Sequence, residues 1–346
     1  MNNEEQDLLK DALGKVLTDM CTAQVVDAAE SGRWPGELWQ ALTDMGLTLA
    51  GISEQAGGTG GNIKDSLLVI HEAAKFAAPV PLAEHFLAAR LLEEASLSVN
   101  RSVMTVASGD FSLSHQGQLV GQAEGVAFGR WAEKVILLAS RDGQEFVCRV
   151  DPSDIKMSHG SNLAGEPLDS IEVDQILPET EFATAPAGAS KRLFLMGAAL
   201  RSLMMAGALE SSLQMSVQYA MERSQFGRPI SKFQAIQHQL ADLAGESAAS
   251  TMAAHAVASA FDPLKETDIA IGKARIGEAV SICTDIAHQV HGAMGYTMEH
   301  SLNHRTRRLW SWRNDYGSER FWQKQVGQAF LGTHADALWS TITNMG

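Results

Sequence analysis

The sequence predicts a mainly α-helical protein with a small β domain in the middle. Apolar residues recur at three- and four-residue spacing from residue 3 to about residue 98, short β-branched runs follow, and helical spacing then returns until the end. A chain of 346 residues is long enough for two or three domains. We therefore expect an N-terminal helical domain (1–100), a middle β-sheet or barrel domain (101–185) and a C-terminal four-helix bundle (186–346).

The first hundred residues are predicted to be helices joined by a glycine-rich turn. Segments such as "EEQDLLKDALGKVLTDM" and "GELWQALTDMGL" repeat apolar residues every three or four positions. The run "SEQAGGTGGN" has no Lys-Ser/Thr after it and no strand-like run before it, as a phosphate-binding loop would have. We therefore interpret it as a turn between helices.

The middle region reads as strands and turns. Runs such as "KVILLASRDGQEFVCRV" and "SIEVDQIL" are rich in β-branched residues and are broken by Gly, Asp and Pro. Because these runs follow one another closely with no helix between them, we expect a small antiparallel sheet or barrel.

The last 160 or so residues, after the linker "TAPAGAS", are predicted to form the bundle. The first helix covers about 191–223, and the second begins at Ser231, whose hydroxyl can cap it while Gln234 completes a capping box. The third, "DIAIGKARIGEAVSICTDIAHQVHGAMG", ends at glycines, and the fourth begins near Glu319.

Charge and cysteine content disfavour several classes of protein. The net charge of −14 argues against nucleic-acid binding, which needs clustered Lys and Arg. Three widely spaced cysteines fit a reducing compartment. The N-terminus is acidic, and no uncharged apolar run reaches the ~20 residues of a membrane span. We expect a cytoplasmic protein without a membrane span.

The segment "RSQFGRPISKFQAIQHQLAD" offers a candidate anion site. Arg223 ends one predicted helix, and Gln234 lies in the first turn of the next. A helix start presents free backbone N–H groups, and an arginine matches a pair of phosphate oxygens. An arginine that faces solvent or caps carbonyl groups is the alternative.

The same segment resembles the R-x-x-FG-x-x-I-x-x-FQ-x-x-Q-x-x-LAD signature of the acyl-CoA dehydrogenase family. A second block, "QVHGAMGYTMEH", is similar to the family's Q-x-x-GG-x-G-[FY]-x-x-E motif through Gln289, Gly292, Gly295, Tyr296 and Glu299. The order of helical domain, β domain and bundle also agrees, so the resemblance covers nearly the whole chain.

This resemblance implies FAD as cofactor and acyl-CoA as substrate. Five residues would contact the pyrophosphate and adenosine of FAD: Arg223, Gln225, Phe226, Phe233 and Gln234. Gln289 and Gly292 would lie close to it. In this family such contacts reach an FAD that a neighbouring subunit mainly holds, which implies an oligomer.

The β domain departs from the family pattern. It lacks the T-E-P-x-A-G-S-D loop and the W-[IV]-[TS] strand that pack on the flavin ring, and Val126, Ala127 and Phe128 stand where the tryptophan strand is expected. We therefore expect that a second, different acyl-CoA dehydrogenase chain completes the site, with two copies of each chain in an α2β2 heterotetramer.

The catalytic carboxylate of the family is displaced. A strict count places Tyr316 and Gly317 at its usual position, one residue after Asp315, and the other known location falls at Met196–Gly197, which has no acid. Asp315 is the candidate base, since a carboxylate in a dry pocket can remove an acidic proton. Glu319 is a weaker contender. Alternatively, Asp315 pairs with Arg313 or Arg308 on the surface.

The resemblance implies a subunit of an FAD-dependent acyl-CoA dehydrogenase that desaturates a CoA thioester at the α,β position and passes electrons to an electron-transfer flavoprotein. The segment "RRLWSWRNDYG" resembles the shorter partners of paired dehydrogenases that act on steroid side chains, which suggests a bulky substrate. Two alternatives are a non-catalytic partner that completes the FAD site of another subunit, and a flavin-dependent oxidase or monooxygenase acting without CoA.

Two smaller patterns have ordinary explanations. The basic run "HRTRRLWSWR" could form ion pairs within an oligomer or clamp coenzyme A phosphates, rather than bind nucleic acid. The pairs His288/His291 and His300/His304 have helical spacing, but no H-E-x-x-H or cysteine pattern accompanies them. We therefore expect no metal site.

Overall fold

The computed structural model describes residues 3–331 and 333–343, which form two compact units, one up to Phe194 and one from Leu195. The first unit begins with the helices α1 (Asn3–Met20), α2 (Ala23–Glu30), α3 (Gly36–Asp44), α4 (Ile63–Lys75) and α5 (Leu82–Glu94). The prediction of N-terminal helices is confirmed.

The glycine-rich run before α4 is a packed turn that ends in a helix cap. The side chains of Asn62 and Asp65 form a capping box at the start of α4. At Gly57, where φ is +105°, an added Cβ would lie 2.2 Å from the carbonyl oxygen of Val99. Glycine is therefore required here by backbone conformation and close packing, as expected of a turn between helices.

The remainder of the first unit is a sheet. Its strands are β1 (Met104–Ala107), β2 (Asp110–Leu113), β3 (Gln118–Ala127), β4 (Lys134–Arg141), β5 (Gln144–Val150), β6 (Lys156–Ser158), β7 (Leu168–Ile176) and β8 (Phe182–Thr184). They lie in the order β6-β7-β3-β2-β4-β5-β8, with β1 beside β4. Most neighbours pair antiparallel, as predicted, but β4 runs parallel to β1 and β2, because the chain reverses between β2 and β3 and again between β3 and β4.

A buried ion pair fixes the turn that follows β3. Asp169 on β7 is fully buried and accepts hydrogen bonds from Arg130, through the backbone N–H at 2.7 Å and Nε at 3.0 Å. The N–H of Gly160 donates to the same carboxylate at 3.2 Å. The carboxylate thus has several donors, which a buried charge needs if it is not to destabilise the fold.

The second unit contains most of a long helix, α6 (Ala189–Glu222). After it come β9 (Ser224–Gln225), β10 (Arg228–Pro229), α7 (Gln234–Ser259), α8 (Glu266–His291), α9 (Leu302–Trp312), α10 (Glu319–Phe330) and α11 (Ala335–Thr343). The four predicted helices correspond to α6, α7, α8 and α10. The basic run was not predicted to be helical, but it forms α9, with Arg308 and Trp312 buried.

The predicted start of α7 is wrong. Residues Ile230–Lys232 form a 3₁₀ turn, so Ser231 lies inside this turn rather than at an extended N-cap position. Its carbonyl oxygen instead accepts a hydrogen bond from Gln237 Nε2 at 2.9 Å. The N-cap is Phe233, and it makes no side-chain capping bond.

Among the described residues, one helix, Ala189–Glu222, is long and apolar enough to cross a membrane, but 83% of its most apolar window is buried within the protein. Burial of this extent is typical of the core helix of a folded domain.

We expect Asp169→Asn to lower the free energy of unfolding of the chain by about 3 kcal/mol, because it removes the charge that compensates the Arg130 guanidinium. Urea unfolding measures the change. Glu172→Gln is the matched control, since its pair with Lys156 is exposed and contributes less than about 1 kcal/mol. Equal effects of the two substitutions would contradict a structural role for the buried pair.

Candidate cofactor-binding site

A two-residue hairpin carries the first motif. Strands β9 and β10 pair Gln225 with Arg228, so that Phe226 and Gly227 form the turn. Both turn residues have positive φ, +52° and +79°, as a type I′ turn requires. The Phe226 side chain projects from the tip with 92% of its surface exposed. The Phe-Gly pair of the motif therefore forms the turn and leaves the Phe226 ring exposed to solvent.

The hairpin gathers cationic and aromatic side chains at the end of α6. Arg223 is exposed there, and its carbonyl oxygen accepts a hydrogen bond from the N–H of Ile230 at 2.8 Å, which closes the hairpin. The Phe226 and Phe233 rings meet edge to face at 6.2 Å. The guanidinium of Arg228, which sequence reasoning missed, lies 4.3 Å from the centre of the Phe233 ring.

These groups fit the pyrophosphate and adenosine portion of FAD. No side chain caps the N-terminus of α7, so its partial positive charge is available to an anion beside the exposed Gln234. The nearby Arg223 can donate two parallel hydrogen bonds to phosphate oxygens. The exposed face of Phe226 can stack on an adenine ring.

The second motif lies next to the first. Tyr219, one helical turn before Arg223, stacks on His291 with ring centroids 4.5 Å apart. His291 follows Gln289 closely and precedes Gly292, and both of these neighbours are exposed. The C-terminal ends of α6 and α8 are therefore in contact, and the structure brings together the two segments expected to bind FAD.

The contact between these helices is made by neutral rings. His291 is 2% exposed, and its Nδ1 donates to the carbonyl oxygen of Ala287 at 2.8 Å. Burial lowers the pKa of His291 to about 4, and the neighbouring histidines His300 and His288 act in the same direction. At neutral pH the ring is uncharged, which suits its stacked position against Tyr219.

The residues that the sequence comparison placed at the flavin-ring positions are buried in this structure. Val126 and Phe128 are 1% and 6% exposed, and Phe128 has φ of +56° after a register shift in β3. The Phe128 ring packs near Trp131, whose ring lies 5.3 Å from that of Trp34. These side chains therefore pack against other residues of the same unit.

Asp315 has a different partner from those expected. Its Oδ2 accepts a hydrogen bond at 2.9 Å from Nε of Arg201, which is 5% exposed on α6. Arg313 binds Glu319 instead, with 2.9 Å between Nε and Oε2. Both candidate carboxylates are thus held by arginines. Arg201 was missed because it lies 114 residues from Asp315 and no local pattern links them.

The two positions considered for the catalytic acid meet in space. Gly197 on α6 lies against the ring of Tyr316, and a Cβ added to Gly197 would stand 2.3 Å from Tyr316 Cε1. Tyr316 itself has φ of +52°. Gly197 and Tyr316 therefore occupy the two positions where a catalytic acid was considered. The Tyr316 ring fills the space that a side chain at position 197 would take.

We expect Gly197→Ala to lower the free energy of unfolding by about 1–3 kcal/mol, because the new methyl group collides with the Tyr316 ring. In a Tyr316→Ala background the same substitution should cost less than about 0.5 kcal/mol. A double-mutant cycle by chemical denaturation measures the coupling. Additive effects would show that the two positions are not in contact.

Comparisons with known proteins agree with this geometry. Residues 188–322 match the C-terminal domain of acyl-CoA dehydrogenases, and residues 3–96 match the N-terminal domain. The acyl-CoA dehydrogenase IpdE2 of Mycolicibacterium smegmatis is 29% identical over 307 residues, which cover 87% of this chain and 90% of the relative.

Two solved structures share the fold over almost the full length. The ChsE4–ChsE5 complex from Mycobacterium tuberculosis contains a chain with a TM-score of 0.85 and 22% identity, covering 97% of this chain and 99% of that one. A variant of the Tcur3481–Tcur3483 steroid ACAD gives a TM-score of 0.84 at 19% identity, with 95% and 98% covered. Together with the two matched domains, these results show that the chain belongs to the acyl-CoA dehydrogenase family, whose cofactor, FAD, is also the cofactor of this protein.

Proposed function

We propose that this chain is the subunit of a heteromeric acyl-CoA dehydrogenase that completes the FAD site of a second, different subunit. The complex introduces an α,β double bond into a CoA thioester and passes the electrons to an electron-transfer flavoprotein. The partner holds the flavin ring and supplies the catalytic base. Of the three functions considered from the sequence, this is the one in which the present chain is a non-catalytic partner.

One contrast carries this proposal. Phe226 is 92% exposed beside Arg223, whereas Val126 and Phe128 are buried at the place where a flavin ring would pack. An exposed large aromatic ring in a left-handed conformation is unfavourable unless a ligand or partner covers it. The chain therefore offers the dinucleotide half of an FAD site and lacks the ring half.

The residues of this chain would bind and orient the cofactor. Bound FAD supplies the acceptor for the β-hydride of the acyl group. Arg223 would donate to pyrophosphate oxygens, with the N-terminus of α7 adding its partial positive charge. Phe226 and Phe233 would cover the adenosine and exclude water, while Gln225, Gln234, Gln289 and Gly292 would line the same surface.

The relatives support a paired enzyme. The similar ChsE4–ChsE5 structure is a complex of two chains, and the Tcur3481–Tcur3483 protein is described as a steroid ACAD. We extend both features to this chain as a proposal: an α2β2 heterotetramer, located in the cytoplasm, acting on a bulky acyl-CoA such as a steroid side chain.

The geometry around Asp315 favours a base in the partner. Its Oδ2 is held by the buried Arg201, and Tyr316 and Gly197 occupy the positions of the family acid. A chain that contacts only the dinucleotide half of FAD would also place its own carboxylates far from the flavin ring. We therefore propose a structural role for Asp315, anchoring the turn before α10.

We expect Arg223→Ala to weaken FAD binding by the assembled complex about 10- to 100-fold, because a charged hydrogen bond to phosphate is lost. The chain is co-expressed and co-purified with a candidate partner acyl-CoA dehydrogenase from the same organism, and FAD binding is followed by the absorbance of the flavin. Arg320→Ala, an exposed arginine outside both motifs, is the control. Tight FAD binding by the chain alone would refute the shared site.

Replacing Asp315 with Asn should change kcat of the assembled complex by less than about threefold, since removal of a general base costs about 10²–10⁴-fold. Stopped-flow reduction of the flavin by acyl-CoA gives the rate directly. Asp285→Asn, exposed on α8, is the control. A loss of a hundredfold or more, with FAD still bound, would move the base into this chain.

A further inference from the structure

A buried lysine lies beneath the turn between α9 and α10. Lys273, in the N-terminal third of α8, is 0% exposed. Its Nζ donates to the carbonyl oxygen of Arg313 at 2.8 Å and lies 3.4 Å from that of Trp312. These carbonyls belong to the C-terminal end of α9, where carbonyl groups lack partners within the helix, and the amine can donate to them in either protonation state.

Charged groups from several elements act on this amine. Arg201 approaches from α6, Arg313 and Asp315 belong to the turn, and Glu319 begins α10. The two acids favour the ammonium form and the two arginines oppose it. Burial is the largest influence, and it lowers the pKa of Lys273 from 10.5 to about 7. The amine is thus held in a dry site where carrying a proton is costly.

The turn above the lysine is held in an unusual conformation. Tyr316 and Gly317 both have positive φ, +52° and +92°. The carbonyl oxygen of Tyr316 accepts a hydrogen bond from Trp322 Nε1 at 2.9 Å. The Tyr316 ring packs against Gly197. A left-handed tyrosine persists only where its surroundings determine its position. Lys273 supplies the hydrogen bonds at the base of the turn.

We propose that Lys273 is a positioning residue and a proton-sensitive clasp: uptake of a proton by its buried amine favours release of the Arg313–Gly317 turn from the face of α6 at Gly197. The step is a simple protonation of Nζ, with the proton taken from solvent when the turn opens. It needs no FAD, acyl-CoA or second subunit, so it goes beyond the proposed function and can be tested independently of it.

The direction of the pH effect follows from linkage. In the open turn Lys273 is hydrated and has its ordinary affinity for protons, whereas in the closed turn its affinity is lower. Between pH 7 and pH 10.5 the open form therefore binds more protons, and raising the pH favours the closed form. The opening equilibrium constant should fall about tenfold per pH unit in this window and level off below it.

Hydrogen exchange of the full-length chain tests this inference. We expect exchange in peptides covering residues 313–322, corrected for the intrinsic pH dependence, to slow about tenfold per pH unit from pH 7 to pH 9. In Lys273→Met, which keeps the side-chain length without the charge, the corrected pH dependence should vanish. Lys265→Met, exposed at the start of the same helix, should behave like the wild type.

Two results would overturn the clasp: a corrected exchange rate in the wild type that does not change with pH, or the same pH dependence in Lys273→Met. If Lys273→Met does not fold, the wild-type pH series still decides, together with Arg201→Gln. This second variant frees Asp315 and should raise the exchange rate of the same peptides at least tenfold. No change in either experiment would show that the lysine is only a core residue with a satisfied amine.

Discussion

The proposed nucleotide site depends on the backbone conformation of the hairpin at the end of α6. Two consecutive residues, Phe226 and Gly227, adopt left-handed conformations, and the hairpin they form turns an aromatic ring out into solvent. Burying a phenylalanine side chain stabilises a protein by roughly 1.5–3 kcal/mol, and this chain forgoes that gain. An arginine and an uncapped helix start beside the ring provide an anion site. Together they match a nucleotide that carries both a flat base and a pyrophosphate.

The β domain supports the proposal that a second chain completes the nucleotide site. In a self-sufficient flavin site the sheet would present open side chains to the ring. Here Phe128 turns inward, and the buried pair of Arg130 and Asp169 locks the turn that follows. Such a pair is costly to break, so it holds this turn and the buried Phe128 next to it in place. We therefore propose that the two halves of the site are divided between polypeptides.

Sequence reasoning succeeded where the signal is local and repeated. The long helices follow from apolar spacing, and the Phe-Gly pair of the first motif lies at the turn of a hairpin. The contacts of this segment with FAD stay a prediction. The start of α7 was misplaced because Ser231 has the chemistry of a cap, while Pro229 leads into a 3₁₀ turn that only the folded chain reveals. Helix α9 was missed because its Arg- and Trp-rich composition obscures the apolar stripe that is buried.

Long-range pairings could not be inferred from one sequence. The parallel contact of β1 with β4 depends on two reversals of the chain, one before β3 and one after it. The partner of Asp315 is an arginine more than a hundred residues earlier, and nothing near either residue points to the other. The same holds for Lys273, which reads as an ordinary helix residue until its surroundings are known.

The structure of the assembled complex with FAD bound tests the central claim most directly. The account predicts that the Arg223 guanidinium lies within hydrogen-bonding distance of the FAD pyrophosphate, with Phe226 on the adenosine and the flavin ring inside the partner chain. An Arg223 that faces bulk water with no nucleotide beside it, or a flavin ring bound in this chain's own β domain, would contradict the account.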